Sequence, residues 1–295
     1  MKTLGDIGED ELIRRVVRLV PTGLGEGEAP GDDCSVVDSG GDRLLLLKTD
    51  ALVEGVHYEK SADPEAVGWK AVARVFSDFA AMGGVGERFM VTLALPGATE
   101  LKWVEALYDG MGKCLREFGA TLAGGETCRV PEASAAVISI SATGSVKRGQ
   151  AVLRSGGKIG DEIWVTGKLG GSLSGKHLSF FPRVKEGRWL AENTGITAMM
   201  DLSDGLAKDL PRLAEASGCG FEIRRDAVPR NLGCTLEQAL GDGEDFELLF
   251  TVPAGEKIEE AWNVKFPELG VSRFGVLTAL GEGEKLSGGW DHFGA

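Results

Sequence analysis

The chain reads as an α/β (α+β) protein of two domains. Short apolar runs of strand length alternate with helical patterns in both halves. The alternation is interrupted over residues 146–160, where Lys, Arg and Gly break the apolar pattern. A length of 295 residues suits about two domains of ~150 residues each. We therefore expect one domain over 1–147 and another over 148–295.

The elements follow in order. Leu12, Ile13, Val16, Val17 and Val20 recur at helical spacing over residues 9–20. Residues 21–33 are rich in Gly and Pro and read as loop. Residues 43–50 hold four consecutive leucines and fit a buried strand. Asp63-Pro64 is an N-cap followed by Pro at the first helical position. That helix runs to about Met82 and stops at Gly83-Gly84. Residues 89–95 form a strand closed by Pro96, and residues 99–118 a helix with Leu101, Val104, Leu107, Met111 and Leu115 on one stripe. Residues 137–145 alternate as a strand does.

After the interruption, strands are expected over 162–166, 197–202, 221–224, 246–252 and 272–280, with a helix over 256–266. Pro211 would break a helix started at Ser203. We therefore place Asp209 at the N-cap and begin the helix at Leu210, where Pro falls in the first turn.

Net charge is -13, which argues against nucleic acid and against an anionic membrane surface as partners. Apolar stretches fall short of the ~20 residues of a membrane span. The N-terminus shows no secretory pattern. Five cysteines without a CxxC pair suit a reduced, cytoplasmic setting. The 44 glycines crowd around acidic turns, which suits tight loops and close backbone approach to a ligand.

Those turns carry the functional argument. They are Gly31-Asp32-Asp33, Thr49-Asp50, Ser77-Asp78, Gly125-Glu126-Thr127, Asp201-Leu202-Ser203-Asp204-Gly205 and Gly243-Glu244-Asp245. Any one alone reads as an ordinary turn or helix cap. Converging, they would need cations between them, because two carboxylates about 4 Å apart repel by roughly 4 kcal/mol at an effective dielectric of ~20. Hard oxygen ligands select Mg²⁺, which usually arrives with substrate phosphates. The joint pattern points to a multi-metal, phosphate-handling enzyme.

Other motifs have two readings each. Gly170-x-x-x-x-Gly175-Lys176-His177 follows a strand as a P-loop does, but ends in His rather than Ser or Thr and soon meets Pro182. A Gly-rich surface loop fits it better. His57 is either a loop histidine or a substrate contact. Arg154, near the domain boundary, is either a surface charge or a phosphate clamp. Trp290 and Phe293 either pack on the core or offer a face for a flat heterocycle.

Taken in order, these motifs resemble the thiamine-monophosphate kinase family. That family sits in the superfamily of aminoimidazole ribonucleotide synthetase, selenophosphate synthetase and a hydrogenase maturation factor. The resemblance rests on Gly31–Asp33, Thr49–His57, Ser77–Gly83, Asp201–Leu206, Gly243–Leu248 and the Trp-Asp-His-Phe ending. It implies the two-domain aminoimidazole ribonucleotide synthetase-like fold, a homodimer formed through N-terminal sheets, a C-terminal α/β domain, and ATP bound near the interface. By motif position, Asp33, Thr49, Asp50, Asp78, Glu126, Asp201 and Asp204 would hold several Mg²⁺ ions. Gly125, Glu126, Arg154 and Ser203 would contact ATP. His57, Glu244 and Trp290 would contact thiamine monophosphate. Asp50, Asp78 and Arg154 would serve catalysis.

The chain departs from the family pattern at three positions. Glu126 stands for Asp, Lys48 for a hydroxyl residue and Val75 for Asn. The expected reaction is transfer of the ATP γ-phosphoryl group to thiamine monophosphate. Its alternatives are ATP-dependent activation of an amide or acyl oxygen, as in the related synthetases, and a non-catalytic nucleotide-binding paralogue.

Overall fold

The computed structural model describes residues 2–293. Its frame is two five-stranded sheets. The first holds β1 (Ser35–Val37), β2 (Arg43–Val53), β3 (Val85–Pro96), β4 (Thr121–Val130) and β5 (Val137–Lys147), in the order β1-β2-β5-β3-β4. All its pairings are antiparallel except β3 with β4. The second holds β6 (Glu162–Thr166), β7 (Ala198–Asp201), β8 (Cys219–Ile223), β9 (Leu248–Val252) and β10 (Val271–Ala279), in the order β7-β9-β6-β10-β8, and is antiparallel throughout.

One helix organises the first half. Helix α2 (Pro64–Ala81) begins where Asp63 accepts the Glu65 N–H, with Pro64 locking the first turn. It is buried along most of its length because Val67, Val72, Val75, Phe76, Phe79 and Ala80 pack on the inner face of the first sheet and on α3 (Leu101–Phe118). Helix α1 (Gly8–Val17) precedes this frame and buries none of its side chains. In the second half, α5 (Leu206–Ala216) supplies Leu206, Leu210 and Leu213 to a second core beneath β6, β7 and β9. Helices α4 (Val184–Asn193), α6 (Leu236–Gly241) and α7 (Ile258–Lys265) complete the chain.

Several expectations are corrected. Residues 124–127 form the middle of β4 rather than a turn. A Cβ on Gly125 would sit 2.1 Å from the Val91 carbonyl oxygen, so only glycine lets β4 lie this close to β3. Helix α5 begins at Leu206, four residues before the expected start, and keeps Pro211 inside it. Asp209 still caps, but from within. Its Oδ2 accepts the backbone N–H groups of Ser203 and Asp204 at 3.1 and 3.0 Å, which steadies the turn ahead of the helix. Strand β9 starts at Leu248 rather than at residue 246, because Phe246 adopts a left-handed φ of 51°. Helices α4 and α6 and strand β1 were not anticipated from periodicity.

Candidate active site

Three carboxylates from three elements meet under α2. Asp33 lies in the loop before β1, Asp78 in the last turn of α2, and Asp201 at the end of β7. Each offers an oxygen within 4.8 Å of the others, and their exposures are 2%, 6% and 2%. Burial is the main cause that lifts the Asp78 and Asp201 carboxyls above the usual range, Asp201 to about 7. Neighbouring carboxylates add to both shifts. Such a trio is costly without positive charge.

The chain supplies part of that charge. Lys48 Nζ stands 2.6 Å from Asp78 Oδ1. Arg154 pairs with Asp33 through its side chain, and its backbone N–H donates to Asp32 at 2.7 Å. Burial opposes the charge on Lys48 and on Arg154, yet the carboxylates around each outweigh it and hold both pKa values up. Asp33 Oδ2 is buried without a hydrogen-bond partner. An orphaned carboxylate oxygen in an all-oxygen trio fits a hard divalent cation such as Mg²⁺.

A second polar centre lies two turns earlier on the same helix. Lys70, 0% exposed, donates to Glu244 Oε2 at 2.7 Å and to the His57 carbonyl at 2.6 Å. His177 Nδ1 lies 2.7 Å from Lys70 Nζ and 3.0 Å from Glu244 Oε2. Burial lowers the Lys70 pKa to about 8. Burial works against the Glu244 carboxylate too, but His177 and Lys70 hold it ionised, at about 2. Glu244 itself has a φ of 52°, in the left-handed region that non-glycine residues rarely adopt. Its turn is fixed by the Glu244 N–H on the Ser203 carbonyl and the Phe246 N–H on the Leu202 carbonyl. The strained turn that aims Glu244 is thereby tied to the loop that follows Asp201.

Between the two centres lies Arg74. Lys70, Arg74 and Asp78 are four residues apart and share one face of α2, so the two centres are about 12 Å apart along the axis. Arg74 Nε is 3.2 Å from Asp50 Oδ2, and the guanidinium donates to the Ala51 carbonyl at 3.2 Å.

The remaining expected site residues fall in different places. Asp50 lies on the inner face of β2 beside Lys48, and its Oδ1 accepts the Ala51 N–H at 2.8 Å. Thr49 points to the opposite, outer face, with its hydroxyl on the Ile140 carbonyl. Glu126 shares that outer face, because Thr92 pairs with both Glu126 and Ser139, and Ser139 pairs with Ala51. Three strand spacings, about 14 Å, separate β2 from β4. A single chain therefore does not bring Thr49 and Glu126 to one ion, nor either of them to the trio. Gly125 and Glu126 instead line a cleft of about 350 Å³ with Val91, Tyr108 and Leu122.

Asp204 turns to Arg212, 2.6 Å away, and to Lys208 at 3.5 Å. The Ser203 backbone is bound at both ends, by Asp209 and by Glu244. His57 accepts the Val53 N–H on Nδ1 at 3.0 Å, so its neutral form carries the proton on Nε2. Burial is the main cause that lowers its pKa to about 4. Trp290 is half exposed. Its backbone N–H donates to the Asp204 carbonyl at 2.8 Å, which brings the C-terminal turn to the loop after β7. His292 of the same turn lies 5.4 Å from His57, ring centre to ring centre.

The P-loop-like segment does not offer its amides to a phosphate. The Gly170 N–H is taken by Asp245, and the Gly171 N–H by Asp242 at 2.7 Å. His177, at its end, joins the Lys70 centre instead.

Comparison with known proteins places the chain in a family. Residues 31–146 match the family model for the N-terminal domain of AIR synthase related proteins, and residues 167–264 that for the C-terminal domain. The thiamine-monophosphate kinase of Salmonella typhimurium is 35% identical over 90% of this chain and 88% of that protein. The chain belongs to the thiamine-monophosphate kinase family. The Aquifex aeolicus enzyme of this name is 32% identical, with 99% of each chain covered. A solved structure described as AaThiL complexed with AMPPCP and TMP superposes with a TM-score of 0.86 at 30% identity, covering 99% of both chains. The two-domain fold expected from the motifs is the family's fold.

Sequence reasoning missed Lys70, Arg74, Ser77 and His177 as members of the site. One signal was present for the first two. A helix as apolar as α2 has little reason to carry Lys, Arg and Asp at four-residue spacing unless that stripe faces a polar cleft.

Proposed function

We propose that this kinase-family chain transfers the γ-phosphoryl group of ATP directly to thiamine monophosphate, giving thiamine diphosphate and ADP without a phosphoenzyme. The observation that supports it is the pairing of two centres along one helix. The Asp33–Asp78–Asp201 trio with Arg154 suits a polyphosphate and its cation. The Lys70–Glu244–His57 centre suits the cationic, heterocyclic body of the acceptor. The AMPPCP and TMP named for the AaThiL structure are a matching pair of ligands.

A phosphate monoester is already anionic at neutral pH and needs no strong base to attack. The task is to bring two anions together in line and to neutralise the charge between them. In this reading Asp33, Asp78 and Asp201 would hold Mg²⁺, with Asp50 beside them. When bound, Mg²⁺ would neutralise phosphate charge and orient the transferring group. Arg154 would clamp the phosphates bidentately, as guanidinium groups do. Ser203 would meet the nucleotide, Glu244 would face the acceptor's positive charge, and His57 would donate from Nε2. Trp290 would cover the heterocycle.

We read 1–147 and 148–295 as the two domains, and the assembly as a homodimer formed by the outer faces of the first sheets. Strand β4 is exposed along nearly its whole length, an edge that proteins normally cover. A two-fold partner laid on that face would bring Glu126 of one chain towards Thr49 of the other. In the assembled enzyme those two residues and Asp204 would complete the nucleotide's cation set. Five free thiols suit a reducing, cytoplasmic setting. Among the described residues, no helix is long and apolar enough to cross a membrane.

The deciding experiment is an ATP-consumption assay with Mg²⁺ and thiamine monophosphate, the product being identified by chromatography. Thiamine diphosphate in step with ADP is expected. Orthophosphate release with no thiamine diphosphate would overturn the reading. Asp50→Asn should abolish transfer and leave the fold intact. Light scattering should give twice the chain mass.

A non-catalytic paralogue is favoured by one observation, the three internal ion pairs that already engage Asp33, Asp50 and Asp78. Tight ATP binding without transfer to any phosphate acceptor would decide for it.

A further inference from the structure

The acid centre carries cations of its own where a multi-metal site would carry ions. Asp33, Asp78 and Asp201 offer oxygens within 4.8 Å of one another, and Asp50 stands on the inner face of β2 against Arg74. Against them stand Lys48 on Asp78, Arg74 on Asp50 and Arg154 on Asp33. We infer that Lys48 and Arg74 are fixed cations that occupy the position between Asp50 and Asp78, so that this chain binds one divalent ion fewer than its carboxylates could otherwise hold.

The geometry carries the argument. A Mg²⁺ ion needs carboxylate oxygens at about 2.0–2.1 Å with their lone pairs free. Asp78 Oδ1 already has the Lys48 ammonium at 2.6 Å. Asp50 is engaged at both oxygens, since Oδ1 accepts the Ala51 N–H and Oδ2 faces the Arg74 guanidinium, whose positive charge repels a metal ion, at 3.2 Å. Lys48 and Asp50 are two residues apart on one strand and so point to the same face, while Arg74 and Asp78 are one turn apart on α2. Two ion pairs, Lys48–Asp78 and Arg74–Asp50, therefore cross between sheet and helix.

The Asp33–Asp78–Asp201 trio shares Asp78 with the Lys48 pair but keeps an open ligand, because Asp33 Oδ2 is buried and has no hydrogen-bond partner. It remains the place for a divalent ion. Arg74 Nε is likewise buried without a hydrogen-bond partner, since its contact with Asp50 has ion-pair distance but not hydrogen-bond alignment. Arg74 lies between the trio and the Lys70–Glu244 centre, so its guanidinium faces the region that a transferring phosphoryl group would cross. That last step rests on the proposed kinase reading; the ion count does not.

The test counts ions rather than turnover. Mn²⁺ binding to the full-length chain, without nucleotide, is followed by electron paramagnetic resonance of the free ion. The double variant Lys48→Ser/Arg74→Val should bind one Mn²⁺ per chain more than the wild type. Lys48→Arg, which keeps the cation, should bind the wild-type number. Should the double variant fail to fold by circular dichroism, Lys48→Gln alone tests the same gain.

Equal counts in wild type and charge-removing variants would overturn the inference, as would a gain in Lys48→Arg. A wild type that binds no Mn²⁺, beside a variant that binds one, would support the fixed cations while removing the metal from the proposed reaction. Failure of thiamine diphosphate synthesis with the ion counts as expected would sink the kinase reading alone.

Discussion

Ser77 donates its hydroxyl to Asp201 Oδ2 across 2.6 Å, and the bond runs from α2 under the first sheet to the end of β7 in the second. Burial and the charge of Asp33 raise the Asp201 carboxyl to about 7, and the Ser77 hydroxyl, with Lys48 and Arg154, works to lower it. Position and charge of Asp201 thus depend on a hydroxyl 124 residues away in sequence.

Ser77→Ala should therefore weaken divalent-cation binding as well as stability. A buried hydrogen bond to a charged group contributes about 1.5–3 kcal/mol. Urea denaturation should show a loss of that order, and Mn²⁺ titration a lower affinity. Ser77→Thr, which keeps the hydroxyl, should restore most of both. Unchanged Mn²⁺ affinity in Ser77→Ala would show that the bond does not position Asp201 for an ion.

A second prediction concerns the close crossing of α2 and α3. A Cβ on Gly68 would lie 1.9 Å from the Leu107 carbonyl oxygen, and one on Gly110 the same distance from that of Glu65. Both contacts are to backbone, so neither can yield by a rotamer change. Gly68→Ala should force the helices apart and cost at least the ~1–3 kcal/mol of an overpacked core. Because α2 carries Lys70, Arg74 and Asp78, activity should fall along with stability. A thermal midpoint equal to the wild type's would refute the close packing.

Local chemistry made much of this fold legible. The Asp63-Pro64 start of α2 and the bounds of β6 follow from capping and apolar runs that the sequence displays within a few residues. What was not legible depends on distant partners. Strand β4 reads as a Gly-rich turn because nothing local reveals that Gly125 must pack flush on Val91. Helix α5 reads as starting late because the role of Asp209 as an internal cap is visible only with the Ser203 turn folded over it. In the site, the acidic segments read as one set, whereas the structure brings together Asp33, Asp78 and Asp201 and turns Asp204 to Arg212; the place of Thr49 and Glu126 on the outer face of the first sheet required the strand register. Lys70 binds Glu244 and His177 at separations of 174 and 107 residues, and no periodicity encodes that meeting.

Lys70→Met tests the second centre. It removes the ammonium that pairs with the buried Glu244 carboxylate, and breaking one side of a buried pair costs about 3–5 kcal/mol. Lys70→Arg keeps the charge, but a planar guanidinium cannot reproduce three contacts converging on one nitrogen. It should recover part of the stability and less of the binding. In steady-state assays both variants should raise KM for the acceptor more than they lower kcat, since Lys70 acts through Glu244 and His57. A fall in kcat alone, with KM unchanged, would place Lys70 in the chemical step instead.

The same pair sets a pH dependence. Burial works against the Glu244 carboxylate, but His177 and Lys70 outweigh it and lower its pKa from 4.5 to about 2. A carboxyl whose folded pKa is depressed adds stability that is fully present above its unfolded value. That stability is lost as pH falls through the folded value. The window here is therefore about pH 4.5 down to about pH 2, and the shift corresponds to about 3 kcal/mol. Glu244→Gln lacks this term at every pH. Urea midpoints taken from pH 6 to pH 3 should show the wild type ahead by a constant margin down to about pH 4.5. The margin should narrow steadily below that. A gap that stays constant to pH 3 would mean that Glu244 is not held ionised by Lys70 and His177.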